Sequence, residues 1–161
     1  MTYKTSLDKT AIIITVAITI LFVVLIAGQY SIIKDAGRAV PIYTTTACLL
    51  IYFLAFAFRP IYYIVTKDEL IIRRLFGNVK VKRADIRSIE IIDKNKIKGS
   101  IRTFGMDGLF GYYGNFSNFS IGHMTWYATR RDKPVLVKTI NNKKIIFTPN
   151  EPERFVSELS S

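Results

Sequence analysis

The runs AIIITVAITILFVVLIAGQYSII, residues 11–33, and AVPIYTTTACLLIYFLAFAF, residues 39–58, decide the fold. Each continues for 20 or more residues without a charged side chain, enough as helix to cross a hydrocarbon layer about 30 Å thick. Neither alternates with period two, and a soluble helix of this length carries a polar stripe that both lack. The threonines (Thr15, Thr19, Thr44, Thr45 and Thr46) are tolerable in lipid because their hydroxyls can bond back to the preceding turn, and they can mark the faces where the helices touch. Many residues of the first run are β-branched, which disfavours helix in water, but lipid leaves the backbone no alternative to internal bonding.

Between the runs lies only Lys34-Asp35-Ala36-Gly37-Arg38, a short turn, so the two spans are expected to be antiparallel with both chain ends on one side. Lys4 and Lys9 precede them and Arg59, Lys67, Arg73 and Arg74 follow, against Lys34 and Arg38 in the turn. That bias assigns both termini to the cytoplasmic side of the inner membrane in a multi-pass protein. Tyr30 and Tyr43 are placed for the two interfaces. Two rivals compete with this reading. A cleaved secretory signal has a shorter apolar core than residues 11–33 and a better small-residue site than Leu25-Ile26-Ala27. Core helices of a soluble protein need more covering chain than the remaining hundred or so residues provide. The expected division is residues 1–59 as a helical hairpin, with spans at about 11–31 and 40–58, and residues 60–161 as a second domain.

From Arg59 the composition changes. Residues 60–161 hold 18 Lys plus Arg against 10 Asp plus Glu, a balance of about +8. Cys48 is the only cysteine and lies in the second span, so no disulfide framework exists. Ile61–Val65, Leu70–Leu75 and Val79–Lys82 are β-rich runs separated by Thr66–Glu69 and by Phe76-Gly77-Asn78, two hairpin signals in succession. Ala84–Arg87 reads as one helical turn or bend before the strand Ser88–Ile92. Further runs are Phe119–Thr129, Pro134–Lys138 and Lys144–Phe147, with a tight turn at Asn141-Asn142. Asn150 with Glu153 has the spacing of a capping box, and Phe155, Val156 and Leu159 form one apolar helical face. So short a helix must pack on something, most simply the open end of a curled sheet.

Gly99 to Gly122 holds six of the nine glycines, interleaved with Phe104, Phe110, Tyr112, Tyr113, Phe116 and Phe119. It lacks the spacing that cradles phosphate at a helix start. Two readings stand: a bent hairpin whose aromatics cover the sheet, or a mobile loop touching lipid, the helices or a partner.

The chain resembles the bacterial pleckstrin-homology-like domains of small membrane proteins. The resemblance rests on two spans leading into Ile61–Val65, on Thr66-Lys-Asp-Glu-Leu-Ile-Ile-Arg73, on Ala84-Asp-Ile86 and on Gly108-Leu-Phe-Gly-Tyr-Tyr-Gly-Asn-Phe116. It continues through Tyr127-Ala-Thr129 and Lys144-Ile-Ile-Phe-Thr-Pro-Asn-Glu-Pro-Glu-Arg-Phe155. It implies a mainly antiparallel, partly open barrel of about seven strands, capped by a C-terminal helix, and it carries no known enzymatic activity or settled ligand. Pleckstrin-homology domains elsewhere bind phosphoinositide headgroups through basic residues in the first hairpin. Here that turn offers Lys67 beside Asp68 and Glu69, which argues against such a pocket.

No constellation of catalytic or metal-binding groups stands out. His123 is the lone histidine without a partner pattern, and the acidic residues are not spaced as a paired acid and base. The chain is therefore read as non-enzymatic, with no cofactor, metal or small-molecule substrate. It lacks any recognition element for nucleic acid, despite its charge. The function expected is a membrane-tethered interaction module that binds a membrane-protein partner or a second copy through Phe104, Phe110, Tyr112, Tyr113 and Phe116. The alternative is an anionic-lipid surface formed by Arg59, Arg73, Arg74, Lys80, Lys82 and Arg83.

Overall fold

The computed structural model describes residues 1–32 and 39–160. The turn Lys34–Arg38 and the side chain of Tyr30 lie outside them. The two apolar runs form the helices α1 (Lys9–Ile32) and α2 (Ala39–Phe58). Both are long and apolar enough to cross a membrane, and their most apolar stretches are only 6% and 17% buried. A core helix of a soluble domain would be mostly covered, so the chain itself supplies no shelter for these surfaces. Thr19, Thr44 and Thr46 donate to the carbonyls four residues back, at 2.7, 2.9 and 2.8 Å. The Thr19 hydroxyl also meets Tyr52 Oη of α2 at 2.8 Å, a polar contact between the helices.

Ahead of α1 the chain forms a strand that sequence reading did not place. β1 (Thr2–Lys4) pairs antiparallel with β2 (Tyr62–Val65), with Tyr3 opposite Tyr63. The chain therefore starts within the β domain, leaves it through α1 and returns through α2. β3 (Glu69–Arg73) and β4 (Val79–Lys82) complete a four-stranded sheet in the order β1-β2-β3-β4. A single 3-10 turn at Arg83–Asp85, one residue ahead of the helical turn or bend expected at Ala84–Arg87, leads to the second sheet.

That sheet comprises β5 (Ile86–Ile91), β6 (Ile101–Gly108), β7 (Gly111–Asn118), β8 (Gly122–Ala128), β9 (Val135–Thr139) and β10 (Lys144–Phe147). Its order is β5-β9-β10-β8-β7-β6. The connection from β8 to β9 skips one position, and the β9–β10 hairpin folds back into the gap. β10 thus lies antiparallel to β9 and parallel to β8, the one parallel pair among the described residues in an otherwise antiparallel arrangement, as a mainly antiparallel domain allows. The two sheets do not close into one barrel.

Alternation along the strands divides them between two cores. Leu70 and Ile72 of β3 point inward with Tyr63, Val65, Val137 and Phe147, and α3 (Pro152–Ser160) closes this core with Phe155 and Leu159. On the other face of the larger sheet, Tyr112, Phe116, Met124, Trp126, Leu136 and Ile146 pack with Ile92, Ile97 and Ala11. The start of α3 departs from the expected capping box. Glu151 carbonyl receives the Phe155 N–H at 3.0 Å, so the helix begins just beyond Asn150. Asn150 Oδ1 instead accepts from Ser6 Oγ at 2.8 Å, and its N–H donates to Lys4 carbonyl at 3.1 Å, which fastens the N-terminal segment to the domain.

Candidate functional site

The Gly-aromatic segment builds a junction between the β domain and the long helices. β6 and β7 form a hairpin whose tip, Leu109 and Phe110, enters the space between α1 and α2 beside Ala55, with Ile18, Tyr52 and Met106 packed around it. Thr15 Oγ1 accepts from the Phe110 N–H at 3.0 Å and approaches the Gly108 carbonyl at 3.4 Å. The Phe110 ring meets Tyr52 and Phe56 edge-on at 5.0 and 5.4 Å. Arg59, just past the end of α2, lays its guanidinium over Phe56 at 4.3 Å and over Phe110 at 5.7 Å. Tyr113 Oη donates to the Ala55 carbonyl of α2, and burial pushes that phenol well above its ordinary range.

Glycine is required where the hairpin twists. Gly105 and Gly114 face each other across the pair with φ of 108° and 115°, and a Cβ on either would collide with the opposite strand's backbone. At Gly108 (φ 111°) a Cβ would stand 2.5 Å from Ile14 Cδ1, so this strand passes against α1 at close range.

A second tie sits at the start of α1. Asp8 Oδ1 accepts from the Ala11 N–H at 2.7 Å, an N-cap that satisfies one free donor of the first turn. The same carboxylate receives Tyr112 Oη at 3.0 Å and the Arg131 N–H at 3.1 Å. Burial, then the Asp8 charge, holds the Tyr112 phenol well above its ordinary range. Sequence reading passed over Asp8 and the specific role of Thr15. An Asp just before a long apolar run is a recognisable cap signal, whereas the Thr15 partners lie over ninety residues away.

Of the five aromatics read as contacts for a partner, the structure buries four. Phe110 and Tyr113 pack at the helix junction, and Tyr112 and Phe116 join the Trp126 core, where Phe116 stacks on Trp126 at 4.3 Å. Phe104 alone is exposed, at 75%. It lies on β6, one of the two outermost strands of its sheet, near Ile101, which is 72% exposed.

The six basic residues separate as well. Arg83 donates to the Glu158 and Leu159 carbonyls at 2.9 and 3.1 Å and so caps the C-terminus of α3. Lys80 pairs with Glu69 at 3.1 Å, and Lys82 is exposed on the same strand. Arg59, Arg74 and the backbone of Arg73 lie at the end of α2. Ile61 N–H donates to the Arg73 carbonyl at 2.8 Å, and the Arg74 guanidinium lies 5.5 Å from the Phe58 ring.

Among the described residues no group of three or more His, Cys, Asp or Glu side chains is placed to hold a metal ion. Cys48 lies in α2 and His123 in β8. The gap between the sheets leaves a cleft of about 240 Å³, lined by residues such as Lys80, Asp85, Thr125, Thr139 and Lys143, with no acid–base pair or nucleophile–base contact among them.

Compared with curated proteins and with solved structures, the chain matches none. The family model for the Bacterial PH domain matches residues 61–161, the stretch from the end of α2 through α3 that holds both sheets except β1. With well over half of its length matched, the chain belongs to the Bacterial PH domain family.

Proposed function

We propose that this protein is a non-catalytic interaction module held at the cytoplasmic face of a membrane by α1 and α2, and that it binds a membrane-protein partner or a second copy along β6. The observation that carries this reading is Phe104, a large aromatic side chain 75% exposed on an outermost strand. Such a strand offers unpaired N–H and C=O groups to an extended segment, and apolar side chains beside it add affinity. Arg102 and a register shift between Arg102 and Phe104 guard the edge against indiscriminate pairing.

The attachment of the helices supports the tether. A cleaved signal would remove β1 and the Tyr3 side chain, which packs edge-on against Phe155 at 5.2 Å, together with the Thr15 contacts. Because both helices connect to the one β domain, a pair of spans puts residues 1–8 and 59–160 on the same side, and the flanking basic residues favour the cytoplasm.

A photo-crosslinking side chain at position 101 or 104 of the full chain, in intact membranes, tests the reading, with exposed Ile140 in the β9–β10 turn as the comparison site. One discrete protein adduct, to a partner or to a second copy, is expected from 101 and 104 and lost on adding Arg102→Glu. Adducts that are the same at position 140, or to lipid alone, would overturn the site.

Lys80 is ion-paired and Arg83 caps α3, which leaves Arg59, Arg73, Arg74 and Lys82 to the anionic-lipid reading. Arg59, Arg74 and the backbone of Arg73 sit at the end of α2, where headgroups of a spanned bilayer would lie.

A further inference from the structure

The β3–β4 loop, Arg74–Asn78, carries two large apolar side chains that the described residues leave more than half exposed. Leu75 is 55% exposed and Phe76 61% exposed. Their position is nevertheless fixed. The Phe76 N–H donates at 3.0 Å to the carbonyl of Ala57, one of the last-turn carbonyls of α2 that have no partner within the helix. Ile61 N–H to Arg73 carbonyl, at 2.8 Å, clamps the strand leading into the loop to the chain leaving α2. Arg74 Nε donates to the Gly77 carbonyl at 2.7 Å, which holds the turn closed, while its guanidinium faces the Phe58 and Tyr127 rings. The Phe76 ring lies 6.4 Å from that of Phe58, the final residue of α2. The loop thus acts as the C-cap of α2 and must lie at the depth of its last turn.

We infer that Leu75 and Phe76 insert into the bilayer that holds α1 and α2, at the boundary between headgroups and acyl chains, with Arg73 and Arg74 at the level of the phosphates. The occupant follows from continuity and charge. The exposed apolar face of α2 runs through Ile51, Leu54 and Phe58, at helical spacing, to Phe76, and two cations flank the apolar pair on its N-terminal side. Aromatic and arginine side chains together favour that layer. The inference rests on the reading of α1 and α2 as spans.

Nitroxide labels on the full chain test it, with Cys48→Ala removing the native thiol. Labels at Leu75→Cys and Phe76→Cys are compared, in vesicles of phosphatidylcholine and phosphatidylglycerol, with Leu50→Cys on the open face of α2 and Phe119→Cys. Phe119 is fully exposed in the β7–β8 turn, about 25 Å along β7 from the docked hairpin tip. The cap uses the backbone of Phe76, so these substitutions leave it in place. Oxygen partitions into lipid, and a water-soluble nickel chelate does not. The oxygen-to-nickel accessibility ratio at 75 and 76 is expected to exceed that at 119 several-fold and to fall below that at 50. A ratio equal to that of position 119, or shielding of 75 and 76 from both reagents, overturns the inference while leaving the spans intact. An aqueous ratio at Leu50 removes the spans and the inference together.

Discussion

Replacing Thr15 with valine keeps the shape of the side chain and removes the one hydroxyl that joins α1 to the hairpin tip. That oxygen accepts from the Phe110 N–H at 3.0 Å and stands 3.4 Å from the Gly108 carbonyl. Phe110 is 8% exposed, so after the change its N–H has neither the hydroxyl nor free access to water. Leaving a buried donor unsatisfied costs about 1–3 kcal/mol. At tenfold per 1.4 kcal/mol, opening of the tip should become about 5- to 150-fold more frequent. Docking should survive, because Leu109 and Phe110 stay buried and each such side chain contributes about 1.5–3 kcal/mol. Hydrogen–deuterium exchange on the full chain in lipid nanodiscs reads this directly. Amides at the hairpin tip should exchange faster by that factor, while those of β8 and β10 keep their protection. Thr15→Ser restores the oxygen and should restore most of the protection. Wild-type exchange at the tip of the valine variant, or equal acceleration across all strands, would refute the assigned role.

Gly105→Ala and Gly114→Ala each force a Cβ into the opposing backbone at a positive φ, so each should cost at least about 2 kcal/mol by denaturant titration. Gly28→Ala, with open space around the new methyl, should be neutral. At high pH the β domain should weaken through its tyrosines. Burial, then the bond to Glu158, pushes Tyr3 up to about 12, so the fold favours the neutral phenol. That contribution is complete below about pH 10, the ordinary tyrosine value, and falls away as pH rises through 12. Tyr3→Phe keeps the ring contact with Phe155, loses the 2.6 Å bond to Glu158, and should lower stability at neutral pH by about 1 kcal/mol. Its loss of stability above pH 10, followed by tyrosinate absorbance and melting, should be shallower than that of the wild type.

Composition made the long helices legible because 20 residues without charge admit few other structures, and β-rich runs between turn signals marked β2, β3, β4 and β10. The C-terminal helix was readable from Phe155 and Leu159 at helical spacing. β1 was not, because Thr2-Tyr3-Lys4 is too short for any period to show and its partner lies sixty residues on. The parallel pairing of β10 with β8 depends on where a hairpin inserts, a choice that local pattern does not encode. In the Gly-aromatic segment both readings had part of the answer. The glycines twist a hairpin, Tyr112 and Phe116 cover the sheet, and Phe110 touches the helices. Which aromatic went where was set by depth relative to α1 and α2, and only the assembled fold supplies that.

The number of attachments bears on what the proposed module can do. Chain crossings at Asp8 and Arg59, the hairpin tip at Thr15 and the loop cap at Ala57 hold the β domain to the helices at four places. A domain on one flexible linker would sample all orientations, whereas this one presents β6 in a fixed attitude to whatever shares the membrane layer. Confinement to such a layer sets effective concentrations near millimolar, at which about 4 kcal/mol of contact energy gives half occupancy. Ile101 and Phe104, at about 1.5–3 kcal/mol each when fully covered, can supply most of that. A partner site this small would be too weak in free solution and adequate on a fixed mount. On the proposed reading, the docking of the Gly-aromatic hairpin onto the helices holds the β6 edge in place, and Ile101 and Phe104 would make the contact.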